Sequence, residues 1–261
     1  MKTFNYHVAK DSKEASKLSS SSSAFLAGGM TSIPSVKLGL ATYKDIIDIK
    51  HIKKLSGIKV SGKSVTIGAT TKHADVANSK EIKKAIPSLA KLAGGIGDAQ
   101  VRNRGTVGGS IANNDPSACY PSACMALNAI IHTNDRKIEA SKFFRGMFET
   151  ALKKGELIEA VEFQIPEKSN YQKHPNPASR YAIVGVYLAK HKKEVNVAVT
   201  GAKSVVYIDK DLSKALTSSF SSLAIENMEL DSSEMNSDIH ASAKFRASLV
   251  TTYTKKAVEA C

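Results

Sequence analysis

Two glycine-rich stretches, the first of them leaving an apolar run, constrain this chain more than any other feature. Residues 24–34 read A-F-L-A-G-G-M-T-S-I-P, and residues 105–116 read G-T-V-G-G-S-I-A-N-N-D-P. Glycines let a backbone approach a ligand closely, and a turn that presents consecutive N–H groups makes a concavity for an anion. Both stretches are therefore expected as glycine-rich turns, the first leaving a buried strand and turning at Pro34. Thr31 and Ser32 in one, and Thr106, Ser110, Asn113 and Asn114 in the other, add neutral hydrogen-bonding groups. That chemistry suits a hydroxylated chain joined to a pyrophosphate better than a divalent metal, which takes carboxylates. The nicotinamide-type fingerprint G-x-G-x-x-G is not met, because Gly95 and Gly97 are followed by Gln100 where the third glycine belongs.

A third glycine motif points elsewhere and fails. Residues 57–64, G-I-K-V-S-G-K-S, satisfy G-x-x-x-x-G-K-[ST] letter for letter. A phosphate loop needs a helix after it, so that free N–H groups aim at the phosphates. Here Val65, Thr66, Ile67 and Gly68 follow, a β-branched run that does not open a helix. Ile58 and Val60 alternate with polar neighbours, so the segment is expected as a hairpin, residues 58–60 returning through 65–67.

The chain has 261 residues, 42% hydrophobic and 23% charged, enough for one large domain or two modest ones. Its formal net charge is +13, yet only six basic residues are arginine and the lysines are spread evenly. Nucleic-acid binders concentrate charge and interleave aromatics, so a lysine-biased surface or an acidic partner is the better account. Cys119, Cys124 and Cys261 are too few for a disulfide framework or a four-thiolate iron–sulfur cluster. No metal site is legible. No apolar run reaches membrane-spanning length and no secretory signal stands at the start, so a cytoplasmic location is expected.

Coarse reading gives a first strand, then a helix opened by Asp11 with Glu14 as its capping partner. Residues 71–77, 87–93 and 121–129 read as helices, and 157–165 as a strand ended by Pro166. Residues 167–177, polar with two prolines, are expected to link two domains, 1–166 and 178–261. Beyond them, residues 181–188, 195–199 and 205–208 read as three antiparallel strands. Phe245, Leu249, Tyr253 and Ala257 form the apolar stripe of a closing helix. Residues 226–238 are expected as a solvated acidic loop.

In this order the motifs resemble the FAD-carrying medium subunit of molybdenum hydroxylases, the group of aerobic carbon monoxide dehydrogenase and the xanthine dehydrogenases. Residues 27–40, A-G-G-M-T-S-I-P-S-V-K-L-G-L, are similar to its first flavin-binding loop. Residues 96–121, I-G-D-A-Q-V-R-N-R-G-T-V-G-G-S-I-A-N-N-D-P-S-A-C-Y-P, are similar to the second and are the most specific signal. Residues 64–77 resemble the family's hairpin and following helix, and the closing helix also matches.

The resemblance implies an α+β fold. An FAD-binding domain of two subdomains, of PCMH or vanillyl-alcohol-oxidase type, would precede a small α+β domain with a three-stranded antiparallel sheet. Ala27, Gly28, Gly29, Met30, Thr31 and Ser32 would wrap the FAD pyrophosphate with backbone N–H groups. Thr106, Gly109, Ser110 and Asn113, in the segment that also holds Asp115, would hold ribityl and phosphate oxygens. Ile96 and Ile158 would make apolar contacts to the cofactor, and Lys173 resembles the lysine of a Tyr-x-Lys segment. Cys119 stands where the family usually has an aspartate that bonds the flavin's hydroxylated chain. The implied function is electron transfer from an iron–sulfur small subunit to a terminal acceptor, in a complex with a molybdenum-cofactor large subunit as a dimer of heterotrimers. A stand-alone FAD oxidase and a cofactor-free basic binding module are the alternatives, and neither nucleic acid nor a transmembrane segment is expected.

Overall fold

The computed structural model describes residues 2–261. Near the N-terminus the strands Asn5–Val8 and Ser23–Leu26 flank Asp45–Asp48 in a parallel sheet. Parallel neighbours need crossovers, and the helices Ser12–Leu18 and Ser32–Lys37 lie in them. The first opens as expected at Asp11, whose carboxylate accepts the Glu14 N–H at 2.8 Å, while Glu14 accepts the Lys10 N–H at 2.7 Å.

A second sheet is antiparallel, in the order Ile58–Ser61, Ser64–Gly68, Ile158–Gln164, Ile130–Thr133, Lys137–Glu139. Ser61 pairs with Ser64, leaving Gly62 and Lys63 as the turn, with Gly62 at φ +57°. Two-residue hairpin turns favour such positive φ, so the phosphate-loop match is a hairpin. Short helices, among them His73–Asn78, Pro87–Gly94 and Tyr120–Ala126, close one core with this sheet around Ile67, Val76, Leu89, Ile111, Tyr120 and Phe163.

The three strands expected in the last third are present as Ala182–Lys190, Val195–Thr200 and Tyr207–Ile208. A fourth joins them and corrects the sequence reading. Residues 167–177 are not a free connection: Lys168–Pro175 pairs with Ala182–Lys190 along its length. The strand was hidden because it lies at the sheet edge and buries only Tyr171, so its sequence lacks an apolar alternation. Ala182–Lys190, by contrast, is buried on both faces, as its unbroken apolar run requires. Val184, Val186 and Leu188 enter a core with the terminal helix Ala243–Glu259. Tyr187 and Ala189 enter the core of the second sheet. The same strand thus welds the two cores.

The glycine stretches bring the second correction. Residues 107–113 are not a turn but the helix Val107–Asn113, and Ser32–Lys37, with Pro34 in its first turn, is helical too. The glycines at 105, 108 and 109 do not adopt positive φ. Gly108 is there for contact: a Cβ would collide with Ala69, against which the helix rests. Residues 226–238 form neither helix nor strand, as expected.

Candidate cofactor-binding site

Loops at the carboxyl ends of parallel strands gather ligands, and those after two adjacent strands of the first sheet behave this way. Ser23–Leu26 runs out into residues 27–32 and Asp45–Asp48 into Ile49, all of which line one cavity of about 480 Å³. The N–H groups of Gly28 through Ser32 find no acceptor within the described residues, and Thr31 places no side-chain cap on the helix that follows. Gly29 reverses the chain at φ +73°. Gly28 rests directly on the backbone of residues 104 and 105, where a Cβ would collide with the Arg104 carbonyl. The first loop is therefore seated on the entrance to the second.

The opposite wall is the Val107–Asn113 helix. Its N-terminal donors are already used: Thr106 Oγ1 accepts the Gly109 N–H at 3.2 Å, Gly108 donates to Ala69 O at 2.8 Å and Val107 to Thr71 O at 3.1 Å. Ser110 and Asn113 line the cavity with side chains that make no hydrogen bond within the described residues. One wall thus offers free backbone donors and the other free hydroxyl and amide groups. That pairing fits a pyrophosphate on one side and a hydroxylated chain on the other. Among the described residues no group of three or more His, Cys, Asp or Glu could hold a metal ion.

A third wall is tied down by cations. Arg102 donates to the carbonyls of Ile96 and Gly97 at 3.0 and 2.9 Å, and Arg180 reaches Gly97 O at 3.1 Å. Lys173 Nζ donates to Gly95 O at 2.7 Å and Arg180 O at 2.8 Å, and lies 3.7 Å from Cys119 Sγ. Ile158 and Glu156 contribute further lining. Glu156 is ionised although buried: burial opposes its charge, but Arg136, the Lys153 N–H and Thr133 outweigh it and hold its pKa at about 2. Burial raises Asp115 above the usual carboxylate range, against the pull of the Ser117 N–H. His73, also in the wall, is pushed down to about 4 by burial and by the Arg102 charge, so it is neutral at pH 7.

Every residue expected at the site from the sequence lines this cavity except Lys173, which fastens the wall from behind, and Asn114, whose amide is turned away to Gly146 O and Glu149 O. Sequence reading missed Phe25, Ile49, His73, Glu156, Arg180 and Tyr181 as lining residues. Phe25 and Ile49 were within reach of the strand-end rule. Arg180 and Tyr181 carry no motif, since the turn after Pro177 places them there, with Arg180 at φ +61°.

A protein family described as the FAD binding domain in molybdopterin dehydrogenase matches residues 2–167. The glyceraldehyde dehydrogenase medium chain of Sulfolobus acidocaldarius is 36% identical over 194 residues, 71% of this chain and 69% of that one. The carbon monoxide dehydrogenase medium chain of Hydrogenophaga pseudoflava is 30% identical over 278 residues, 98% of this chain and 96% of its own. Among solved structures, a chain of reconstituted CO dehydrogenase from Oligotropha carboxidovorans superposes with a TM-score of 0.91 at 26% identity, covering 99% of this chain and 97% of that one. The chain therefore belongs to the FAD-binding medium subunits of the molybdenum hydroxylases and is an oxidoreductase subunit that binds FAD.

Proposed function

We propose that FAD occupies the 480 Å³ cavity and that this chain carries electrons from a partner iron–sulfur subunit to a terminal acceptor. Residues 27–32 hold the pyrophosphate through their unspent N–H groups. Ser110 and Asn113 take the hydroxylated chain, with Gly109, Asp115 and Cys119 lining the cavity beside it. Thr106 serves by capping the helix that presents them. Ile96 and Ile158 give the cofactor its apolar contacts. Lys173, Arg102 and Arg180 keep the wall at residues 95–97 in place. Bound FAD supplies the reversible redox chemistry, and the protein supplies binding, orientation and shielding.

The run of N–H groups at residues 28–32, without acceptors among the described residues and all on one loop of the cavity wall, carries this reading, because consecutive backbone donors make a concavity for an anion. Support for the complex comes from relatives that are themselves medium chains. On this reading the molybdenum subunit oxidises the substrate, the iron–sulfur subunit relays the electrons, and the three chains assemble as a dimer of heterotrimers in the cytoplasm. Residues 25–158 supply most of the lining, Arg180 and Tyr181 add to it, and Lys173 buttresses it from behind. The test is the visible spectrum of the purified chain after incubation with FAD and removal of free ligand. Retained flavin bands, with FAD rather than FMN released on denaturation, support the reading. A colourless chain, even with Cys119→Asp, overturns the proposed site.

A further inference from the structure

Arg246 lies on the terminal helix, remote in sequence from every glycine loop, yet it is only 3% exposed. One guanidinium nitrogen donates to Ile183 O at 2.6 Å and Gly201 O at 3.1 Å, and the other to Asp238 at 2.6 Å. Its Nε has no partner among the described residues. A buried arginine with an unsatisfied donor costs free energy, which its remaining charge-assisted bonds must offset.

What they fix is the junction behind the cavity. Gly201 turns there at φ +83°, and a Cβ would collide with the carbonyls of residues 182 and 183. The Gly201 N–H donates to Pro116 O at 2.8 Å, and the neighbouring Ala182 N–H donates to Ser117 O at 3.2 Å. Asn236 adds a second donor to Gly201 O at 3.1 Å. Residues 116 and 117 belong to the loop that carries Asp115, Ala118 and Cys119 into the cavity, and Tyr181 precedes Ala182 on the same wall. Two consecutive backbone bonds hold this loop from behind, and the guanidinium clamps the strand ends that supply them.

We infer that Arg246, braced by Asp238, is a positioning residue for the cofactor: it sets the wall at residues 115–119 from outside the cavity without touching the ligand. The inference rests on the proposal that FAD occupies that cavity. The acidic loop at 226–238 then has a task, which is to hold Asp238 against Arg246.

The test compares Arg246→Met and the gentler Asp238→Asn with Leu249→Ala, a core truncation on the same helix that makes no bond to this junction. FAD dissociation constants are measured by flavin absorbance, and amide exchange across residues 115–119 is measured in FAD-free chains. Losing a link in such a network weakens FAD binding about tenfold in Arg246→Met, less in Asp238→Asn, and speeds exchange in that loop. Leu249→Ala lowers the melting temperature but leaves the dissociation constant and the loop exchange unchanged. Should Arg246→Met fail to fold, Asp238→Asn decides, since its side chain is 46% exposed. Equal FAD affinity and equal loop exchange in the Arg246 and Leu249 variants would overturn the inference. A wild-type chain that binds no FAD sinks the cofactor reading instead, and the exchange data then judge the clamp alone.

Discussion

His73 is buried with its Nδ1 unpartnered, and its ring packs against Tyr120 at 5.3 Å between centroids, tilted by 40°. Its pKa falls from 6.5 to about 4, so the folded chain refuses a proton that the unfolded chain accepts. Stability from this group is complete above pH 6.5 and drains away as the pH falls toward 4. The full loss is about 3 kcal/mol. Urea unfolding of His73→Gln is expected to lack that part of the slope between pH 7 and pH 4.5. Gly28 makes the second residue-scale case. Gly28→Ala drives a methyl group into the Arg104 carbonyl, and such overpacking costs about 1–3 kcal/mol. Because the seat of the first loop moves, FAD retention on a desalting column is expected to fall further than the melting temperature alone would suggest.

At the scale of elements, Asn114 joins two of them. It ends the Val107–Asn113 helix in the left-handed region at φ +44°. Its amide donates at 2.8 Å to both Gly146 O and Glu149 O, holding the Phe144–Gly146 and Glu149–Thr150 hairpin. Asn114→Gly keeps the backbone conformation and loses only the amide bonds. Asn114→Ala loses both, and is expected to be less stable than the glycine variant by about 1 kcal/mol in denaturant titrations. This scale also shows why the sequence was legible in some places and opaque in others. The hairpin at residues 58–67 and the closing helix declared themselves by periods of two and of fourfold spacing. The Val107–Asn113 helix did not, because glycine signals freedom of φ and closeness of contact with the same letter, and here the second meaning held. Lys168–Pro175 was missed because an edge strand with one buried side chain has no pattern to read. The lining residues were recovered where a loop motif carried them. Arg180, Tyr181 and the Arg246 clamp come from tertiary placement that leaves no local mark.

At the scale of the whole molecule, the cavity walls reach from Phe25 in the first sheet through Ile158 in the second to Tyr181, in the turn that leads into Ala182–Lys190. A ligand that binds only the folded form stabilises it by about 2.7 kcal/mol at a hundredfold excess over its dissociation constant. Under that excess of FAD the melting temperature of the chain is expected to rise by about 5 °C or more. FMN, which lacks the adenylate half, is expected to give a smaller rise, and scanning calorimetry with each flavin checks both. Among the described residues no helix is long and apolar enough to cross a membrane.

The strand Ala182–Lys190, shared by both cores, has a temporal consequence. Its two faces cannot both be covered until the terminal helix has docked on one and the second sheet on the other. Cofactor capture is therefore expected to be a late event in folding, dependent on the helix Ala243–Glu259 although most of the site lies far upstream. In refolding from urea, far-ultraviolet dichroism is expected to recover first and flavin capture to follow with the slowest phase. Chains cut short before residue 243 would regain helical signal and stay colourless. Flavin colour would thus report that the helix at residues 243–259 has docked.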